Sequence, residues 1–240
     1  MAQVGIDRKL AITWLGHATF LLVSPGGKRI LFDPFLTGNP SAPPDAAKKI
    51  GSLDLILITH GHNDHTGDAV SIGRSSGAQT VAPFELAVWL QKKGLKNVTG
   101  MNPGGTLNAL GLSITMVPAC HSSSVDDNGT TTYMGVATGY VVKFEDGLTI
   151  YFAGDTAIFG DMRLIGEMYR PQTAFLPIGD FYTMGPEQAA KACELLGVKQ
   201  VVPMHYGTFP VLTGTPAKLR PLVEPRGVQV LELKPGETAS

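Results

Sequence analysis

The sequence predicts an α/β protein, a sandwich of two sheets with helices outside, on three observations. Short β-like segments separated by glycine- and proline-rich turns open the chain and recur in its middle; each such block gives way to alternating strands and helical stretches; and no linker-like composition separates the halves. At 240 residues the chain is long enough to bury a large core, so residues 1–240 read as one domain.

Leu10 to Trp14, Phe20 to Val23 and Lys28 to Phe32 read as an antiparallel meander. Phe35 to Ala46, rich in Pro, Gly, Ser and Asn, has no helical or strand period and reads as a long loop, a candidate active-site lid. Strand Leu55 to Ile58, helix Asp68 to Ser75, strand Thr80 to Ala82 and helix Pro83 to Lys93 then alternate. A second β-rich block spans Leu112 to Val117, Gly135 to Phe144 and Leu148 to Phe152, with Glu145, Asp146 and Gly147 as a hairpin turn. Ser122 to Thr131 reads as a loop.

In the last third, Asp161 to Tyr169 and Pro186 to Leu196 have helical spacing, the latter opening on proline and stopping near Gly197. Ala174 to Leu176, Gln200 to Pro203 and Gln229 to Leu231 read as strands.

Composition excludes several classes. A net charge of -1, with no long run of like charges, offers no electrostatic footprint for nucleic acid or for a membrane surface. The start MAQVGIDRKL lacks the apolar core of a signal peptide, and no apolar stretch approaches the ~20 residues of a spanning helix, so a cytoplasmic location is expected. The two cysteines, Cys120 and Cys193, are far apart and suggest neither disulfide nor zinc site. Cys120, beside His121, reads as a small buried hydrophobe in preference to a thiol near a metal.

The strongest local signal is His60-Gly61-His62-Asn63-Asp64-His65, at the end of the apolar strand Leu55 to Ile58. Packing gives no reason for three imidazoles and a carboxylate in six residues, whereas metal binding does: imidazole and carboxylate are the donors that divalent ions take. Residues i and i+2 of an extended segment point the same way, so His60 and His62 can grip one ion. Asp64 and His65, after the turn, can face a second.

The chain has six histidines in all. His121 and His205 both follow strand ends, where sites gather in α/β folds. Asp155 follows the apolar strand ending at Phe152, and Gly154 before it permits close backbone approach. Taken singly, Asp155 also reads as a turn or cap residue, and His121 or His205 as a hydrogen-bonded core histidine.

Together these residues resemble the metallo-β-lactamase superfamily, whose H-x-H-x-D-H signature His60 to His65 matches and whose later His, Asp and His follow in order as His121, Asp155 and His205. The resemblance implies a four-layer αββα sandwich. It also implies two divalent ions, zinc first with manganese or iron allowed, one held by His60, His62 and His121 and the other by Asp64, His65 and His205. Asp155 would bridge them, and Asp33 would orient a metal-binding histidine. Without the resemblance, Asp33 reads equally as a turn residue before Pro34.

Within the superfamily, the segments Trp14 to Phe20 and Pro177 to Pro186 look like bacterial hydrolases related to ascorbate-6-phosphate lactonase. His17 lies outside the family's ligand pattern. It is either a contact to substrate or to a ligand, or a structural histidine.

Two ions ~3.5–4 Å apart would bind a shared water, lower its pKa and polarise a carbonyl or phosphoryl oxygen. Asp64 would orient that nucleophile or take its proton, and His17 or Tyr182 would donate to the departing charge. The leading expectation is therefore hydrolysis of a small-molecule ester, lactone or phosphoester, with a homo-oligomer allowed. The alternatives are a nuclease or phosphodiesterase of the same superfamily, which calls for a basic surface the sequence lacks, and a di-iron redox or metal-binding protein, which normally needs a flavin domain that 240 residues do not accommodate.

Overall fold

A computed structural model describes residues 9–127 and 129–240. The segment 1–8, most of the stretch on which the expectation of no leader rests, lies outside them.

Two seven-stranded mixed sheets face each other. The first runs, in spatial order, Thr238–Ala239, Ala11–Trp14, Phe20–Val23, Arg29–Phe32, Leu55–Leu57, Gln79–Pro83 and Val98–Met101. Its first four strands pair antiparallel and the rest parallel. The second runs Gln229–Val230, Gln200–Met204, Thr173–Pro177, Thr149–Phe152, Thr138–Lys143, Leu112–Pro118 and Thr106–Ala109. Here the parallel half comes first and the antiparallel half last.

Period-2 alternation decides what each strand of the first sheet buries. Phe20, Leu22, Ile30, Phe32, Leu55 and Leu57 enter the core shared with the second sheet. Their neighbours Leu21, Leu31, Ile56 and Ile58 point the other way and pack with Ala69, Leu86 and Leu90 of helices Ala69–Ser76 and Phe84–Lys92. Between the sheets Phe32 stacks on Phe152 at 4.2 Å and Phe20 meets Phe175 edge-on at 5.1 Å. Each such buried ring contributes about 1.5–3 kcal/mol. Helices Met162–Tyr169, Pro186–Leu196 and Pro216–Val223 flank the second sheet. Pro186–Leu196 starts on its proline and stops at Gly197 in the left-handed conformation, as its sequence predicts. No helix among the described residues is long and apolar enough to cross a membrane.

Several local expectations are corrected. The turn after His62 is itself a short helix, Asn63–Thr66, so Asp64 and His65 are presented from one helical turn and not from a loop. Ser122 to Thr131 contains most of a β-hairpin, Ser124–Asp127 against Thr130–Tyr133, which its polar composition conceals because one strand is wholly exposed. The loop from Phe35 is anchored: Asp68 accepts from the Leu36 and Thr37 amides at 2.6 and 2.8 Å and from Thr37 Oγ1 at 2.7 Å. Its Ser41 backbone packs so closely on Gly16 that a Cβ there would meet Ser41 O at 2.7 Å. It therefore backs the turn that holds His17, and none of its residues is among those lining the cleft beside Asp64 and Asp155. Cys120 is exposed, not buried, whereas Cys193 is buried in the core, where desolvation pushes its thiol up to about 12.

Candidate metal centre

Parallel strands deliver their C-terminal ends to one edge of the sandwich, where α/β folds place their ligands. Arg29–Phe32 hands over Asp33, Leu55–Leu57 leads into His60, Thr149–Phe152 into Asp155 and Gln200–Met204 into His205. His121 follows Leu112–Pro118. Its loop is tied to the Asp155 loop by the Cys120 amide, which donates to Thr156 Oγ1 at 2.9 Å, and by Ala157 N to Cys120 O at 3.0 Å. Gly154, at φ 62°, lies so close to Thr59 and Thr138 O that a Cβ would clash at 2.7–2.9 Å.

All seven sequence-predicted ligands come together, joined by His17. Their donor atoms fall into three overlapping groups: His60, His62 and His121; His17, Asp64, His65 and His205; and His60, His65 and Asp155. Asp155 joins the sets, because its Oδ2 lies 3.0 Å from His205 Nε2, 3.3 Å from His65 Nε2, 3.6 Å from His121 Nε2 and 3.9 Å from His60 Nε2.

Hydrogen bonds aim the rings. Asp33 Oδ1 accepts from the Thr59 amide at 2.8 Å, while Oδ2 accepts from Thr59 Oγ1 and from His65 Nδ1, each at 2.8 Å. With its proton given to Asp33, Thr59 Oγ1 is left to accept from His60 Nδ1 at 3.0 Å. Both rings thus carry hydrogen on Nδ1 and turn Nε2, the nitrogen a metal would take, toward Asp155.

His17 is fully buried at φ 57°, in a turn whose carbonyl accepts from Trp14 Nε1 at 2.9 Å and from the His205 amide at 3.1 Å. Its Nε2 lies 3.0 Å from Asp64 Oδ2 and its Nδ1 2.9 Å from Thr208 Oγ1. A carboxylate can only accept, so Nε2 carries the proton and Thr208 donates to Nδ1. Thr59 and Thr208 went unnoticed in the sequence, although each is within three residues of a predicted ligand.

Burial opposes charge on His65, but Asp155, Asp33 and Asp64 outweigh it and hold its pKa well above the ordinary imidazole value. His205 rises to about 9, Asp155 overcoming burial in the same way. Asp155 stays well below the carboxylate range despite burial because His205 and His65 face it. Asp64 is lowered against burial by His65 and by the His17 hydrogen bond. Burial pulls His60, His62 and His121 down, and takes His17 to about 4 with help from His205.

The residues fit a cation. Among the described residues His65 Nε2, His205 Nε2 and Asp155 Oδ1 are buried with no hydrogen-bond partner, a costly arrangement for groups that a divalent ion would satisfy together.

The comparisons agree. The family model of the Beta-lactamase superfamily domain matches residues 28–206. A metal-dependent hydrolase of Koribacter versatilis is 53% identical over 231 residues, covering 96% of this chain and 98% of the relative. A metal-dependent hydrolase of Methanopyrus kandleri is 49% identical over 233 residues, covering 95% and 99%. Among solved structures, a metallo hydrolase from the hyperthermophilic archaeon Ignicoccus hospitalis superposes with a TM-score of 0.86 at 39% identity, covering 96% of this chain and 97% of that one. The chain belongs to the metallo-β-lactamase superfamily. Within it, this is a metal-dependent hydrolase.

Proposed function

We propose that this hydrolase acts on an ester, lactone or phosphoester of a small molecule with two divalent ions, zinc in the first instance. One observation carries the reading: a single buried oxygen, Asp155 Oδ2, within 3.0–3.9 Å of four histidine Nε2 atoms drawn from two separate donor groups. His60, His62 and His121 would hold one ion, Asp64, His65 and His205 the other, and Asp155 both. When bound, such ions supply an activated water and an electrophile for the substrate oxygen.

The protein's own groups do the rest. Asp33 and Thr59 hold hydrogen on Nδ1 of His65 and His60, so that Nε2 is the nitrogen each would give to a metal. His17 holds Asp64 Oδ2, the oxygen that also lies 3.8 Å from His205 Nε2 and 4.0 Å from His65 Nε2, leaving Asp64 Oδ1 outside that bond. Asp64 remains ionised and its side chain is 29% exposed toward the cleft, so it can orient a water by accepting a hydrogen bond from it. Tyr182 lines the same cleft and can donate a hydrogen bond to substrate.

The test is elemental analysis with a substrate panel on the metal-loaded wild type and on Asp155→Asn. The reading expects about two ions per chain, turnover of at least one such substrate class, and loss of both in the variant. Full metal content and undiminished turnover in Asp155→Asn would overturn it.

A further inference from the structure

The cleft in front of Asp64, Asp155 and His205 has a volume of about 650 Å³, the size for a small molecule. Beside these polar groups the lining is apolar: Tyr182, Phe209, Pro210 and Val211 form this wall, with the Phe209 ring 5.5 Å from that of His17. Tyr182 is 56% exposed and Val211 40%, and next to Tyr182 the ring of Phe181 is 68% exposed, 4.7 Å away and edge-on. Large apolar side chains clustered at a cleft mouth mark a binding surface.

The backbone leading into Tyr182 is held in a costly conformation. Asp180 and Phe181 both have positive φ, 67° and 62°, which non-glycine residues avoid. The strain is pinned by Asp180 N to Met184 O at 3.0 Å and by Phe181 N to Asp180 Oδ1 at 2.8 Å. The loop bearing Phe209 to Val211 is stitched to it where Gly214 N donates to Gly179 O at 3.1 Å, an approach so close that a Cβ on Gly214 would overlap Ile178 O. A fixed apolar wall beside the reacting centre selects by shape and hydrophobicity.

Charge points the same way. No lysine or arginine is among the described residues lining the cleft, while Asp64 and Asp155 are. The reacting group of a substrate would face the metal centre, but an anionic group elsewhere on it would enter the cleft with no cation to meet it.

From this wall and this charge distribution we infer that the substrate is a carboxylic ester or lactone whose remaining part is uncharged and apolar, an aryl or branched-alkyl group, and that phosphate-bearing substrates are disfavoured. In the reaction water adds to the acyl carbon and the acyl C–O bond breaks. The water proton ends on the departing oxygen; an ester gives a carboxylic acid and an alcohol, a lactone a single hydroxy acid. This inference rests on the hydrolase reading above.

The test compares p-nitrophenyl acetate, butyrate and benzoate, then a γ-lactone with an alkyl substituent against one with a phosphorylated substituent, on the metal-loaded full chain. Each methylene buried against the wall is expected to raise kcat/KM up to about fourfold, so butyrate, two methylenes longer, exceeds acetate by up to about sixteenfold. Val211→Ala is expected to flatten that dependence while metal content holds. Calorimetric binding of the same esters to the chelated, metal-free chain, tighter for butyrate and benzoate than for acetate, gives a readout free of turnover. A flat chain-length series, or a phosphorylated lactone turned over as well as the alkyl one, overturns the inference but leaves the hydrolase reading standing. A loaded protein inactive on every ester, lactone and phosphoester removes both.

Discussion

Asp33 Oδ2 lies 2.8 Å from His65 Nδ1, with both side chains fully buried. Through Thr59 the same carboxylate also sets the tautomer of His60. In Asp33→Asn the amide NH₂ can displace that donor pattern and push hydrogen onto Nε2, where a metal would bind. Metal affinity is expected to fall about 10- to 100-fold, read by competition with a chromophoric chelator. Unchanged affinity would show that the bond is packing alone.

His17 supports the other side of the centre. His17→Asn tolerates the positive φ but cannot reach both Thr208 and Asp64. The expected outcome is fewer ions per chain, followed by elemental analysis, with little change in the melting temperature of the metal-free protein. Thr208→Val removes only the hydroxyl and should have the same effect more weakly. An ion content equal to wild type in both variants would make His17 a purely structural histidine.

Metal binding should tighten as pH rises. In the metal-free protein His65 and His205 hold their protons, His205 to about 9, and an ion must displace them. Affinity is therefore expected to increase from pH 6 to 9 with proton release in calorimetry. The stability of the metal-free form moves oppositely. His205, raised from 6.5 to about 9, contributes stability that is complete below 6.5 and lost as pH climbs through about 9. Asp155, depressed below 3.8, contributes above that value and loses its contribution as pH falls through its lowered pKa. Chemical denaturation of chelated protein across this range should show stability declining above pH 6.5.

Loading should stabilise the fold. At an ion concentration about 100 times Kd the gain is about 2.7 kcal/mol per site, which in a chain of this size raises Tm by roughly 5–10 °C. Calorimetry with and without chelator reads it directly. Identical melting in both would argue against a resident ion.

Gly214→Ala should destabilise through crowding, since its φ is ordinary and only the Ile178 carbonyl stands in the way. Forced displacement there costs about 1–3 kcal/mol or more. Gly197→Ala, with open space around it, carries only the strain of its left-handed conformation and should be milder.

What was legible in the sequence was local. The strands Phe20–Val23 and Thr149–Phe152 and the helix Pro186–Leu196 announce themselves by apolar pattern and by Pro and Gly at their ends. The Thr238–Ala239 strand and the Thr106–Ala109 strand do not, because they are short and take their identity from a partner strand. Helix Pro216–Val223 carries a second proline inside, which masks its period.

The same division runs through the centre. His60, His62, Asp64 and His65 are determined by six consecutive residues, because their donors are brought together by a strand end and one helical turn. His121, Asp155 and His205 were legible only as residues after strands. Their convergence on Asp155 Oδ2 comes from two sheets packed face to face. Only tertiary structure could decide that His17, 191 residues from Thr208, bonds to it and to Asp64, or that Phe209 to Val211 wall the cleft while the Phe35 loop does not. Side-chain chemistry is written along the chain, but which side chains share a low-dielectric cavity depends on contacts between elements that no local pattern records.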